Sequence, residues 1–242
     1  MCRSISLGQE IEHVQGCRLI AKYYIESRET HRRVCSLINQ NKLKGGFMAR
    51  KLEGKKVAIL VADGFEQVEM TRPRDALDEA GAQTKIVSPK SGQIQGMHHA
   101  DKGDKFDVDL RLDEARPEEF DAIMIPGGLM NPDELRATPE ALEFVRHFFE
   151  EGKPAAVICH GPWVLIDAGL VRGRTLTSWP NIKTDVKNAG GKWVNEEVVV
   201  DNGLVTSRKP NDIPAFNKKM IEEFCEGKHV KTKEMAGVTL ET

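Results

Sequence analysis

Lys153-Pro154-Ala155-Ala156-Val157-Ile158-Cys159-His160-Gly161-Pro162-Trp163 is a short apolar run that ends in a thiol, with a Gly-Pro pair behind it. An unbroken apolar run of this length suits a strand covered on both faces of a parallel sheet. Proline just past a glycine is pre-set for the first turn of a helix. Strand, sharp turn and helix in that order make a nucleophile elbow, which leaves one side chain projecting above the sheet. A thiol placed there faces the positive end of the helix and its free N–H groups, so a lowered Cys159 pKa is predicted. The competing reading is a small buried hydrophobe packed at the end of a strand.

Outward from the elbow, strand and helix patterns alternate. Val57-Ala58-Ile59-Leu60-Val61 reads as a second doubly covered strand, and Thr84-Lys85-Ile86-Val87-Ser88 as a third. Between them Val68, Met70, Pro73, Ala76, Leu77 and Ala80 fit a helical stripe that Gly81 stops. Phe120 to Ile125 is a strand ending in Pro126-Gly127-Gly128, and Pro139 to Glu150 a helix presenting Leu142, Val145, Phe148 and Phe149. Residues 89–112 are polar, with room for a short hairpin. Ile182 to Ala189 reads as helix, Val198–Val200 and Leu204–Thr206 as a hairpin around Asn202-Gly203, and Ile213 to Cys225 as a last amphipathic helix. The alternation predicts a three-layer α/β sandwich around a parallel sheet with right-handed crossovers.

At 242 residues the chain suits one sizeable α/β domain with an appendage. Residues 1–47 carry eight Lys/Arg against four Asp/Glu and three of the five cysteines, unlike the rest. They read as an N-terminal extension outside the fold, disordered or upstream of the natural start at Met48, with 48–228 as the domain and 229–242 as a tail. A net charge of −2 leaves no footprint for nucleic acid or an anionic membrane. An odd number of cysteines without a CxxC pair argues against disulfides or structural zinc, and a reducing cytoplasm is the simplest home.

In a parallel sheet, ligands bind outside the carboxyl ends of the strands. Three loops with chemistry meet there: Asp63 to Glu69, Pro126-Gly127-Gly128, and Cys159-His160-Gly161. Glu69 either reaches the sulfur as a protonated carboxyl that shares its proton with the thiolate, or is a solvated helix-start residue. Glu66 reads as a first-turn or capping carboxylate, and Asp212 as an N-cap. The Gly128 and His160 amides make either an oxyanion hole or a plain turn. His160 is a candidate base or a helix-start packing residue. Downstream of it only His229 remains, with no HxE pair, which argues against glutamine hydrolysis. His98, His99, Asp101 and Asp104 lack the spacing of a metal site, so no metal and no cofactor is expected.

Taken together, Gly64-Phe65-Glu66-Gln67-Val68-Glu69, Pro126-Gly127-Gly128, Ile158-Cys159-His160-Gly161-Pro162, Asn188-Ala189-Gly190-Gly191 and Thr206 to Asp212 resemble the PfpI family of the class I glutamine amidotransferase-like superfamily. The resemblance spans about Lys55 to Cys225. It implies a flavodoxin-like fold, Cys159 as nucleophile, Glu69 as proton-sharing carboxyl and His160 beside them; Gly127, Gly128 and Gly161 are read from the residues themselves as oxyanion or substrate-binding positions. It also implies self-association as a homodimer or hexamer, in which an acid from a neighbour's loop completes a Cys-His-acid triad; Asp133 is the matching residue, where the family's proteases have Glu. Three activities follow: a cofactor-independent glyoxalase or deglycase acting on a small aldehyde or a glycated protein, a cysteine peptidase, or a non-catalytic redox sensor or holdase. The first needs only one thiolate and one carboxyl, the second the full triad.

Overall fold

The computed structural model describes residues 51–229. The expected extension over residues 1–47, and the tail beyond His229, lie outside the described residues.

The chain opens with β1 (Lys56–Leu60), a two-residue β2 (Phe65–Glu66), helix α1 (Gln67–Glu79) and β3 (Gln83–Ser88). The anticipated hairpin is β4 (Gln93–His98) with β5 (Asp101–Asp107), followed by β6 (Leu110–Arg111) and β7 (Ala122–Ile125). Helices α2 (Met130–Arg136) and α3 (Pro139–Glu150) precede β8 (Ala155–Ile158) and the elbow helix α4 (Pro162–Asp167). The remainder is β9 (Thr175–Leu176), α5 (Lys183–Asn188), β10 (Lys192–Trp193), the hairpin β11 (Val198–Asp201) and β12 (Leu204–Ser207), and α6 (Ile213–Glu226).

Seven strands form the central sheet in the order β11-β12-β8-β7-β1-β3-β6. All neighbours run parallel except β11 on β12, where the Asn202-Gly203 turn, both residues at positive φ, folds the hairpin back. Successive residues of a strand point to opposite faces, and both faces here are apolar. Val57, Ile59, Ala122, Met124, Ala156 and Ile158 face Met70 and Leu77 of α1 and Phe216, Met220 and Phe224 of α6. Ala58, Leu60, Ile123, Ile125, Ala155 and Val157 face Phe144, Val145 and Phe148 of α3 and Val164 and Leu165 of α4. This is the three-layer sandwich expected from the alternation, with the flavodoxin-like fold that the family resemblance implies.

The strand order reverses direction at β1, since β3 and β6 extend one way and β7, β8 and β12 the other. The loops after β1 and β7 diverge at this switch point and open a crevice at the carboxyl ends of the strands. The elbow after β8 stands next to it.

Two local readings change. Residues 130–136, part of the loop expected after the Gly-Gly turn, form helix α2, because Pro132 sits in its first turn where no N–H is needed. On α3 the buried side is Ala141, Phe144, Val145 and Phe148, with Leu142 and Phe149 only half-buried, a stripe rotated slightly from the one expected.

Candidate active site

Cys159 has φ 63, in the left-handed region that L side chains avoid. Holding a non-glycine residue there costs on the order of 1 to 3 kcal/mol. The surroundings enforce it: Cys159 N–H donates to Ser207 C=O at 3.0 Å, and its own C=O accepts from Trp179 N–H at 2.8 Å. Behind it Gly161 packs so tightly that a Cβ would lie 2.6 Å from Val157 Cγ1. The Gly161 N–H is occupied by Ile158 C=O at 2.9 Å, so this glycine shapes the turn and its amide does not point at a substrate.

Glu69, in the first turn of α1, is 0% exposed, which removes the solvated helix-start reading. Its Oε2 accepts the Gly127 N–H at 3.1 Å, and its Oε1 is buried without a hydrogen-bond partner among the described residues. Burial, assisted by the Glu66 charge, pushes its pKa up to about 8, against the pull of the neighbouring Cys159 thiol and of the Gly127 and Gly128 amides. At neutral pH the carboxyl is protonated, as a group sharing a proton with sulfur must be. A Cβ on Gly127 would come within 2.5 Å of Cys159 Cβ and closer still to Glu69 Oε2, so only glycine fits between acid and thiol.

The expected low thiol pKa does not hold. Burial, then Glu69, pushes Cys159 well above its ordinary range, and the Gly128 and His160 amides pull it only partly back. Helix α4 spans six residues, so its dipole is short, while the thiol is nearly enclosed beside another acid. The resting centre is a thiol next to a carboxylic acid, and ionising the sulfur calls for a base.

His160 is placed to be that base, with Nδ1 3.3 Å from Cys159 Sγ. Its ring stacks on Trp179 at 5.9 Å and tilts against Trp163 at 5.1 Å, which fixes its orientation without a carboxylate. Burial lowers its pKa, so the imidazole is neutral and able to accept a proton at pH 7. Asp133 does not join this group within one chain: it is exposed on α2 and pairs with Arg136 at 3.2 Å. Arg136 also reaches Asp167 at 3.6 Å and lies 4.8 Å over the Trp163 ring. Cys159, His160, Glu69, Gly127 and Gly128 therefore converge, and Asp133 stands apart.

Two expected caps are otherwise engaged. Glu66 accepts the backbone N–H of His99 at 3.0 Å, bracing the hairpin tip, and Asp212 makes a two-point pair with Arg208 at 2.8 and 3.1 Å. His98, His99, Asp101 and Asp104 gather no metal site. Among the described residues the one group with clustered ligand atoms is Glu223, Glu226 and His229, which the sequence reading missed because it straddles the end of α6. His229 donates its N–H to Gly152 C=O at 2.8 Å, ahead of β8 and so at the opposite end of that strand from Cys159. No helix among the described residues is long and apolar enough to cross a membrane.

Residues that local sequence did not reveal complete the site. Trp179 and Trp163 hold the imidazole, and the buried Asn131 ties the Gly-Gly turn to the end of β1.

A parallel sheet with a positive-φ cysteine at its switch-point crevice, facing a protonated carboxyl, defines a cysteine-elbow α/β protein of flavodoxin-like fold. The chain belongs to the DJ-1/PfpI family, whose profile matches residues 55–223. A protein of Pyrococcus abyssi named a deglycase is 46% identical over 167 residues, covering 69% of this chain and 98% of that protein. A second protein named a deglycase, from Thermococcus kodakarensis, is 44% identical over 69% of this chain and 98% of its own length. Among solved structures, a two-domain protein of Anabaena variabilis with DJ-1/ThiJ/PfpI-like and ferritin-like domains superposes at TM-score 0.66 with 37% identity, covering 69% of this chain and 47% of that one. Drosophila melanogaster DJ-1beta superposes at TM-score 0.65 with 26% identity, covering 71% and 90%.

Proposed function

We propose that this chain is a cofactor-independent, cysteine-dependent enzyme of reactive-carbonyl defence, of glyoxalase or deglycase type. The observation that carries the reading is the buried Cys159–Glu69 pair with the Gly128 and His160 amides at the sulfur and a neutral His160 Nδ1 at 3.3 Å. The names of the Pyrococcus and Thermococcus relatives support the same class.

On methylglyoxal, His160 Nδ1 accepts the thiol proton and the sulfur attacks the aldehyde carbon. The carbonyl electron pair moves to oxygen, beside the Gly128 and His160 amides, and Glu69 protonates it to give a hemithioacetal. Glu69, now a carboxylate, removes the hydrogen on that carbon; its electron pair forms the enediol double bond as the imidazolium protonates the neighbouring ketone oxygen. Glu69 returns its proton to the second carbon while His160 takes the first hydroxyl proton, leaving a lactoyl thioester. Water cleaves the thioester, Glu69 and Cys159 recover their protons, and the balance is methylglyoxal plus water to lactate and a proton. An aldehyde held reversibly on a protein amine enters at the first step.

Every group in this route comes from one chain. A peptidase would need Asp133 of a neighbouring subunit to leave Arg136 and reach His160. Self-association remains part of the proposal, supported by Leu129 and Met130, which lie side by side at the start of α2 and are 61% and 59% exposed.

The test is methylglyoxal loss and lactate formation by purified wild type and Cys159→Ala, in metal-free buffer without glutathione. Lactate from wild type alone is expected; none from folded, reduced wild type overturns the proposal. Release of amine from a preformed methylglyoxal adduct separates the deglycase from the glyoxalase.

A further inference from the structure

Asn131 is fully buried and uses three of its hydrogen-bonding positions on the candidate site. Its Oδ1 accepts the Ala62 N–H at 2.7 Å, just past β1, on the loop that leads to Glu69. Its Nδ2 donates to two successive carbonyls, Pro126 C=O at 2.9 Å and Gly127 C=O at 3.1 Å. A trans peptide is planar, with its C=O and N–H pointing oppositely, so fixing the carbonyl also aims the amide on the far side. The amide paired with Pro126 C=O is Gly127 N–H, which bonds Glu69 Oε2; the amide paired with Gly127 C=O is Gly128 N–H, which faces the Cys159 sulfur.

We infer that Asn131 is a positioning residue: one carboxamide, gripping two consecutive peptides from behind, aims the Gly127 amide at the Glu69 carboxyl and the Gly128 amide at the Cys159 sulfur, and locks both to the end of β1. Gly127 and Gly128 have no side chains to hold these planes, and tight packing on the site side leaves Asn131 as the hydrogen-bonding restraint on their carbonyls from behind. Donation to the two carbonyls also polarises each peptide, strengthening the N–H that faces the site. The inference builds on the Cys159 chemistry proposed above, but the state of the sulfur reports on it without any substrate.

The experiment measures alkylation of Cys159 by iodoacetamide against pH in wild type, Asn131→Ser and Asn131→Ala, in a Cys225→Ser background, with near-ultraviolet circular dichroism and thermal melts as folding checks. Cysteines in residues 1–47 are followed separately by peptide mass spectrometry. Losing the aim of Gly128 N–H shifts the alkylation profile to higher pH, and the rate at pH 8 falls about tenfold in Asn131→Ala and less in Asn131→Ser, which keeps one hydroxyl donor. With methylglyoxal, kcat falls about 10- to 100-fold and KM changes less than about threefold. A role confined to stability lowers the melting temperature and leaves the alkylation profile on that of wild type; that result, in either folded variant, overturns the inference. If Asn131→Ala does not fold, Asn131→Ser decides. A shifted profile without carbonyl turnover in wild type sustains Asn131 and removes the glyoxalase reading instead.

Discussion

Replacing Glu69 with glutamine should stabilise the protein while disabling it. The unfolded chain releases the Glu69 proton near the ordinary value of 4.5, whereas the folded chain keeps it to about 8. Between those limits the folded state binds more protons, so the Glu69 contribution to stability is full below pH 4.5 and is lost as the pH rises toward 8. By pH 7 the loss is about 3 kcal/mol, from about 2.5 pH units at ~1.36 kcal/mol each. A glutamine side chain has no such proton to lose; its carbonyl oxygen can accept the Gly127 N–H that Glu69 Oε2 now accepts at 3.1 Å, and its amide can donate toward the sulfur. Allowing for imperfect fit, Glu69→Gln gains about 1 to 3 kcal/mol at pH 7, and roughly 3 to 10 °C in Tm. Carbonyl turnover drops by about 100-fold or more with the loss of the proton carrier. Urea unfolding of both proteins at pH 5, 7 and 8.5 reads the difference, in which distant groups cancel. A variant less stable than wild type at pH 7, or a difference that does not grow between pH 5 and 8, refutes the reasoning, because Glu69 would then be ionised in the folded chain.

Gly127→Ala drives a methyl group between Cys159 Cβ and Glu69 Oε2, so it should lower stability by about 2 kcal/mol in chemical unfolding and abolish turnover. The acid limb of the wild-type rate profile should have its midpoint below about 6.5, because burial lowers the His160 pKa; His160→Gln should lose that limb along with most of its rate. Asp133→Asn should leave methylglyoxal turnover within about twofold, since among the described residues the carboxylate pairs with Arg136 and stands apart from Cys159 and His160. A larger loss that deepens on dilution would bring in a neighbour's Asp133 and revive the peptidase reading. Cleavage of an unfolded protein by wild type but not by Asp133→Asn is the direct measurement of that alternative.

Most of the fold was legible because its signals are periodic and local. Val57 to Val61 and Ala155 to Ile158 carry no polar residue, which only a sheet covered on both faces tolerates, and Gly81, Gly152 and Asn202-Gly203 end elements where their positive φ is used. Helix α2 was missed because its signals conflict: Leu129 and Met130 are exposed, Pro132 reads as a breaker, and what buries Asn131 is hydrogen bonding to other loops, which no periodicity records. Glu66 and Asp212 stand where caps belong, yet the backbone of the distant His99 takes the first carboxylate and Arg208, four residues upstream, takes the second. For the same reason Trp179 was invisible as a member of the site, since it reaches His160 only through the fold.

The thiol pKa is the instructive failure. A cysteine before a helix reads as activated, and two amides do lower its pKa, but enclosure beside Glu69 outweighs them. An elbow of this kind stores reactivity in geometry rather than in a standing thiolate: the positive φ of Cys159, the stacked His160 and the aimed Gly128 amide are all in place before ionisation. Two protons on the Cys159–Glu69 pair at neutral pH supply the stoichiometry that the carbonyl route consumes, one leaving sulfur for His160 and one passing from Glu69 to the new hydroxyl. A free thiolate would lack the first proton and an ionised Glu69 the second, so the raised values suit proton transfer to a carbonyl better than the low thiol pKa first expected.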